Sequence, residues 1–290
     1  MRGILHRQWF KLGLRAFDLC LNQRNDSSKL VQTGYNEVAS FYDTFWTTYM
    51  ASLSEDLLKR VEPPKQGKCL DLTCGTGFVT QKLSELTEGV VTGVDSSDQM
   101  IAVAQKKYGD TCRFVHDDAY HFLKNQPSQS YDCITCAWGL GYLPPQILFE
   151  AQRTLSVHGK IGIIDNSILS NWEFVFCFLI AVSEEPTALI SYIKPQFYLT
   201  TGTLIHRMRM NGFKIIDAWK GREIFPFDRT EPVMEQLIKS GVAAGIIQLI
   251  DENRKEKIIT RTGELLQQHY SSKEYIAVTH RYIGAVGEKK

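Results

Sequence analysis

Short apolar runs alternate with amphipathic stretches of helical spacing through most of the chain. Apolar runs of about four to eight residues indicate buried strands, and apolar positions three and four apart indicate helices. We predict strands at residues 68–72, 90–94, 112–115, 131–137, 160–165, 213–219 and 275–282. Helices are predicted at about 77–86, 97–108, 147–155 and 200–211. Because strands that alternate with helices form parallel β-α-β units, the pattern predicts an α/β protein with a doubly wound, mostly parallel sheet.

The first predicted strand runs into a turn of small residues, in the sequence CLDLTCGTG that ends at Gly77. Gly75 and Gly77 allow a close approach to a ligand, and the next helix begins with unpaired amide donors. The motif G-x-G-x-x-G is incomplete, because its third position is Thr80. The second strand ends in Asp95, 24 residues after Asp71, where an acid can bind a ribose diol. The alternative for Asp95 is a surface acid that begins a turn.

Polar or aromatic residues follow or end five of the predicted strands. In doubly wound sheets ligands bind at the carboxyl ends of the strands, so residues there lie on one edge. The sequence therefore predicts a ligand site along this edge. The residues concerned are Asp71, Asp95, Asp118, Trp138 and Asp165.

The segment from Leu70 to Gly77 resembles the first motif of the class I S-adenosylmethionine-dependent methyltransferases, and the spacing to Asp95 resembles their second. The branch that it resembles contains the ubiquinone/menaquinone C-methyltransferase-like small-molecule enzymes. The resemblance covers residues 34–166, but the family has Gly where this chain has Thr73. It implies a Rossmann-like fold with a seven-stranded sheet, strand seven being antiparallel and beside strand six. It also implies S-adenosyl-L-methionine as cofactor.

The resemblance also implies which residues bind the cofactor. An acid-Ala step at Asp118 and Ala119 matches the family's contact with the adenine amino group; Asp117 can serve instead, or can cap the following turn. Tyr35 and Tyr42 belong to a segment that forms a lid in the family, and aromatic packing onto the core is the alternative for both. The full predicted set is Tyr35, Tyr42, Asp71, Thr73, Cys74, Gly75, Gly77, Asp95, Ser96, Met100, Asp117, Asp118, Ala119, Ala137 and Trp138.

The implied activity is methyl transfer to a small, apolar molecule: a quinone-like aromatic, a lipid or a specialised metabolite. A sulfonium methyl is already activated, so alignment and exclusion of water are the main tasks, and a base is needed only for a protonated acceptor. The polar candidates for catalysis are Tyr42, Tyr142, His116 and Asp165, each of which also fits a structural role. The alternative function is a non-methylating one, as an assembly or binding factor or as a cyclase-type enzyme with the same pocket.

Two domains are predicted around this motif. Residues 1–62 form an N-terminal helical lid or extension, and residues 63–290 form the methyltransferase core with cap insertions at about 169–199 and 222–271. The second insertion is predicted as two helices, around 231–240 and 244–270. It either caps the active site or forms a dimer contact, so a homodimer stays open as a prediction.

The N-terminal segment, residues 1–24, is predicted as a basic amphipathic helix. Three interpretations are open: the helix packs on its own domain, it touches a membrane surface or a protein partner, or it is an organelle transit peptide. Its apolar face consists of Leu5, Trp9, Leu12, Ala16 and Leu19.

Composition narrows the class of partner. The chain has 290 residues with 33 Lys plus Arg against 32 Asp plus Glu, a balance that argues against a protein built mainly to coat nucleic acid. A small-molecule substrate is what the resemblance implies, and no nucleic-acid partner is expected. Cys133 and Cys136 form C-x-x-C on a predicted strand, where residues three apart point to opposite faces, so no metal site is predicted. No secretory signal or membrane-spanning stretch is recognised, and a reduced, cytoplasmic protein is expected.

Overall fold

A computed structural model describes residues 2–22, 27–191, 196–228, 232–272 and 274–290 of the chain; side chains are described for these residues except 2–6, 27–28 and 45–48. Within these ranges one sheet contains seven strands. The strands are β1 (Cys69–Leu72), β2 (Val91–Asp95), β3 (Arg113–His116), β4 (Tyr131–Ala137), β5 (Leu155–Asn166), β6 (Phe213–Asp228) and β7 (Tyr275–Lys289).

The strand order is β3-β2-β1-β4-β5-β7-β6. The first five strands pair in parallel, and β7 pairs antiparallel with β5, with Ile163 opposite Ala285. This order confirms the predicted doubly wound, mostly parallel seven-stranded sheet and the insertion of strand seven beside strand six. It also brings the carboxyl ends of the five parallel strands to one edge.

Helices connect and flank the strands. Those before β5 are α1 (Arg2–Asn22), α2 (Ser27–Tyr49), α3 (Ala51–Val61), α4 (Phe78–Leu86), α5 (Asp98–Tyr108), α6 (Ala119–Lys124) and α7 (Ile147–Thr154). Those after β5 are α8 (Trp172–Glu184), α9 (Thr201–Met210), α10 (Val233–Lys239), α11 (Ala244–Ile247) and α12 (Glu252–Tyr270). Among the described residues, no helix is both long enough and apolar enough to cross a bilayer.

Several predicted bounds are wrong. Strand β5 begins five residues earlier than predicted, and β6 and β7 extend to Asp228 and Lys289. The helix predicted over 244–270 is divided into α11 and α12, because the Asp251 side chain accepts from the Asn253 amide and begins a new helix. Helix α6 was not predicted, since six residues carry almost no periodic signal.

The sheet is buried because its central strands are apolar on both faces. All four residues of β1 are buried, as expected for a parallel strand covered by helices on both sides. The main apolar core combines residues of β1, β4 and β5 with residues of α6, α7 and α9. This core holds the strand ends, and therefore the edge with the predicted site, in fixed positions.

The chain divides into two compact units. We call the first the helical unit; it comprises Met1–Tyr42, Asn171–Lys194 and Glu223–His280. The second, the motif unit, comprises Asp43–Ser170, Pro195–Arg222 and Arg281–Lys290. Both predicted cap insertions lie mainly in the helical unit, and the predicted ligand edge lies in the motif unit.

Helix α1 packs against α8 inside the helical unit. Leu12 and Leu19 are buried on that side, while Trp9 is half-buried and Ala16 is exposed. Leu5, the remaining member of the predicted face, lies outside the described side chains. The predicted apolar face therefore packs on its own unit at two of its positions.

Candidate functional site

The turn between β1 and α4 is built from left-handed residues. Thr73, Gly75 and Gly77 have φ of 57°, 54° and 89°. A Cβ at Gly77 would lie 2.9 Å from Cζ of Phe114, so this position needs glycine for space as well as for torsion. At Gly75 a Cβ would meet no atom within 4 Å. The turn is consequently packed from below and open above Gly75.

Asp95 fixes this turn from the end of β2. Its Oδ2 accepts from the Gly75 amide at 2.9 Å, and its Oδ1 accepts from the Ser97 amide at 2.8 Å. Burial raises the pKa of Asp95, while the two amide donors oppose that rise. A carboxylate has about four lone-pair sites, so two amides leave room for the two hydroxyls of a diol. Asp95 can thus order the turn and bind a ligand together.

Ser97 and its neighbours begin helix α5 beside Asp95. The Ser97 hydroxyl accepts from the Met100 amide at 3.1 Å, which caps the helix. Ser96 is exposed, and its carbonyl lies 3.0 Å from Nε2 of His116. Met100 is 2% exposed and packs into the core. Ser96 therefore lies on the open side of the edge, while Met100 supports it from inside.

Asp71 lies beneath the turn. Its carboxylate is 1% exposed and accepts from the hydroxyls of Thr80 at 2.7 Å and Thr135 at 2.8 Å. Burial raises the pKa of Asp71 to about 7, and the two hydroxyls lower it. Thr80 is the residue that replaces the third glycine of the motif. Its hydroxyl secures the buried acid, which explains how the chain uses this departure from the pattern.

Asp117 and Asp118 follow β3 and differ in their contacts. Asp118 caps α6, because its Oδ1 accepts from the His121 amide at 2.8 Å. Both oxygens of Asp117 contact Nδ1 of His121, at 2.9 and 3.1 Å. The helix cap, which was the alternative role for Asp117, is formed by Asp118. Ala119 is buried, and the Asp117 amide donates to the Asp95 carbonyl at 3.0 Å, which places the acid pair beside the end of β2.

Another left-handed residue, Trp138, follows β4, the strand next to β1. Trp138 has φ of 66°, is buried, and its Nε1 donates to the Ser54 hydroxyl at 2.8 Å. Its indole therefore points into the protein, as does the buried Ala137. A Cβ at Gly139 would lie 2.3 Å from Oγ1 of Thr73, so the glycine after Trp138 makes room for the threonine. Non-glycine residues with left-handed backbone torsions store strain and cluster at functional sites.

The loop after β4 is fixed by Asp165 at the end of β5. This carboxylate is 2% exposed, and its Oδ2 accepts from the Gly141 amide at 2.6 Å. Burial raises the pKa of Asp165 to about 7, and its backbone donors oppose that rise. The neighbouring Tyr142 is 36% exposed, and its ring packs edge-on against Phe197, with centroids 5.3 Å apart. Asp165 thus positions the backbone beside an exposed tyrosine.

One contact to the turn was missed by the sequence analysis. The Thr76 hydroxyl donates to Oδ1 of Asp43 at 2.5 Å, and Lys107 of α5 pairs with the other oxygen. Asp43 belongs to the segment that resembles the family lid, which is the only sequence signal for it. This bridge joins α2, the turn and α5 within the motif unit.

The predicted catalytic candidates do not all come together. His116 ends β3, and the loop that carries Tyr142 follows β4, three strand positions away; since neighbouring strands are about 4.8 Å apart, β3 and β4 are about 14 Å apart across the sheet. Tyr35 and Tyr42 lie in the helical unit, with ring centroids 6.1 Å apart and edge to face. Asp165 and Tyr142 are the pair brought close together, because Asp165 at the end of β5 accepts from the Gly141 amide in the loop that carries Tyr142. A catalytic role for any of these residues stays a prediction.

The C-x-x-C pair has the orientation that the sequence predicts. Cys133 lies beside Cys69, and Sγ of Cys136 lies 3.8 Å from Oγ1 of Thr73, so the two thiols have different neighbours. Both cysteines are buried. Within the described residues, no three His, Cys, Asp or Glu side chains are grouped so as to hold a metal ion.

Known proteins are similar to this chain in sequence and in fold. A family described as a methyltransferase domain matches residues 69–159. A demethylmenaquinone methyltransferase of Lactobacillus johnsonii is 30% identical over 166 residues, which are 50% of this chain and 67% of the relative. One of Listeria welshimeri is 28% identical over 153 residues, 49% of this chain and 60% of the relative. The matched region therefore spans 67% of the first relative and 60% of the second.

The fold is also found among solved structures. The YcgJ protein of Bacillus subtilis superimposes with a TM-score of 0.57 at 18% identity, covering 82% of this chain and 97% of that one. A likeness at this identity shows the fold alone.

Proposed function

Because the chain belongs to the class I S-adenosylmethionine-dependent methyltransferases, in the quinone C-methyltransferase-like branch, we propose that it transfers the methyl group of S-adenosylmethionine to a small, apolar acceptor. One observation carries the proposal. The open turn at Gly75 is tied to Asp95 at the carboxyl edge of the sheet, where this fold binds its ligands.

The residues present fit this cofactor. The space above Gly75 admits a ligand next to the backbone, and Asp95 has lone pairs left for the two ribose hydroxyls. Asp117 and Asp118 lie beside the end of β2, where either carboxylate can accept from the adenine amino group. Thr73 and the loop after β4 would border the methionine end. When bound, the sulfonium supplies an activated methyl group.

The chain's remaining task is to hold the acceptor and to exclude water. Asp165 acts as a positioning residue, because it fixes the Gly141 amide and with it the loop that presents Tyr142. The names of the relatives mention demethylmenaquinone, which supports a quinone-like aromatic as the acceptor class.

Calorimetry with S-adenosylmethionine tests the cofactor site. Asp95→Asn is expected to weaken binding about 10- to 100-fold, since it removes the charge from hydrogen bonds of about 1.5–3 kcal/mol. Asp98→Asn is the matched control, because Asp98 is an exposed acid three residues further along the same turn and helix start. Equal affinities for both variants would remove Asp95 from the site.

Turnover tests the reaction itself. The protein is incubated with S-adenosylmethionine and with prenylated naphthoquinones, benzoquinones and lipids, and mass spectrometry follows S-adenosylhomocysteine and the methylated acceptor. Formation of both products in equal amount supports methyl transfer. Cofactor binding without demethylation across the panel would refute it and favour a non-methylating use of the pocket.

A further inference from the structure

Helix α1 has a second apolar face besides the one that packs on the helical unit. Phe10, Leu14, Phe17 and Leu21 follow one another at intervals of four, three and four residues. This spacing places them within about 60° of the helix circumference. They are 66%, 53%, 63% and 67% exposed, and we call them the α1 stripe. A row of large apolar side chains exposed along one face of a helix is typical of a docking surface.

The packed side of the helix fixes the orientation of the stripe. Leu12 and Leu19 are each 7% exposed, and Nε of Arg15 donates to the Leu189 carbonyl at 2.9 Å. The positions of these two leucines lie roughly opposite the stripe on the helix circumference. The helix is thus attached along one side and presents Phe10 and Phe17 on the other.

Positive charges beside the α1 stripe favour an anionic binding partner. Arg7 and Lys11 are exposed and border it on one side. Arg15 is paired with Asp18 at 2.9 Å, so the acid on this helix is neutralised within it. An interfacial helix combines apolar side chains with neighbouring Lys and Arg, which attract anionic lipid headgroups.

We propose that α1 binds an anionic lipid surface through the α1 stripe, with Arg7 and Lys11 at the headgroups. A second copy of the chain is the alternative occupant, and the sedimentation measurement below distinguishes it from a lipid surface. The helix lies in the plane of the surface and does not cross it, since its other side is buried against α8. This inference goes beyond methyl transfer and does not depend on it.

Vesicle flotation of the full chain tests the stripe. We expect binding to vesicles of phosphatidylcholine mixed with phosphatidylglycerol. The double variant Phe10→Ser/Phe17→Ser is expected to bind about 100-fold more weakly, about tenfold for each phenylalanine withdrawn from the interface. Phe149→Ser is the matched control, because Phe149 is 57% exposed on α7 in the motif unit. Equal losses in both variants would overturn the proposal.

The charge is tested separately. Lys11→Glu is expected to weaken binding to the mixed vesicles about tenfold and to leave binding to pure phosphatidylcholine unchanged, whereas Lys106→Glu, an exposed lysine on α5, has no effect. Absence of wild-type binding overturns the proposal, and so does a lipid-free dimer in sedimentation that the phenylalanine variant converts to monomer. Calorimetry with S-adenosylmethionine on the same samples separates a lipid defect from loss of the cofactor site.

Discussion

Replacing Gly139 with alanine tests how the two loops of the site fit together. The new Cβ would lie 2.3 Å from Oγ1 and 2.5 Å from Cβ of Thr73. Neither atom is the far end of a flexible side chain, so the backbone of one loop must move. Gly139 itself has φ of −135°, which alanine can adopt, and the damage therefore comes from the contact and not from torsion.

The magnitude follows from overpacking and from strain. An inserted methyl group in a well-packed region costs about 1–3 kcal/mol, and we expect Gly139→Ala to lower the free energy of unfolding by that amount. Thr73→Gly removes the contact and also about 1–2 kcal/mol of left-handed strain, offset by about 0.5–1 kcal/mol of glycine entropy. The double variant should therefore have a free energy of unfolding close to that of Thr73→Gly alone. The coupling energy between the two positions is expected to be about 1–3 kcal/mol.

Thermal unfolding of the four proteins measures this cycle, and calorimetry with S-adenosylmethionine on the same samples reports whether the loop shift reaches the cofactor site. We expect Gly139→Ala to weaken cofactor binding and the added Thr73→Gly to restore it. Additive effects of the two substitutions on unfolding would refute the reasoning, because they would mean that the side chain of Thr73 and the space at Gly139 are independent.

Two further predictions concern the buried acids. Asp165 has a folded-state pKa raised to about 7 from 3.8, so the stability that it contributes is present below pH of about 4 and is lost as the pH rises through about 7, by up to about 1.4 kcal/mol per pH unit. In urea unfolding, the free energy of unfolding of Asp165→Asn should fall less steeply with pH than that of the wild type. Asp118→Asn, which keeps an exposed helix cap, should leave the pH dependence unchanged. Equal pH slopes for the wild type and Asp165→Asn would contradict the assignment. Thr80→Val removes the hydroxyl that donates a hydrogen bond to Asp71 and should lower the free energy of unfolding by about 1–3 kcal/mol. An unchanged midpoint of thermal unfolding would show that this hydrogen bond is dispensable.

Strands β1, β2 and β4 could be predicted because they are largely buried and form short apolar runs. Strand β4 has the bounds that its apolar run predicts, and β1, β2 and β3 each differ by one residue. The long strands β6 and β7 continue beyond their apolar runs. Much of the added length of β6 is exposed or half-buried, and such residues give no apolar signal.

The site was predicted as a set of strand ends but not as a set of contacts. Asp95 could be placed because it ends the second predicted strand at a recognisable interval, 24 residues after Asp71. The inward placement of Asp71 depends on the hydroxyl of Thr135, 64 residues away, and no local pattern carries that information. The fit of Thr73 against Gly139 is equally non-local, so the departure from the family glycine could be seen but its compensation could not.

The position of β7 between β5 and β6 has a consequence during synthesis. Its first residue, Tyr275, leaves the ribosome 109 residues after Asn166, the last residue of β5. Translation at about 5–20 residues per second makes this an interval of about 5–20 s. For that time the outer edge of β5 has unpaired amides and carbonyls, a template for pairing with other nascent chains. Slow translation or chaperone shortage should therefore reduce the yield of this protein. A chain truncated before residue 275 should aggregate, and adding residues 275–290 as a separate peptide should protect it.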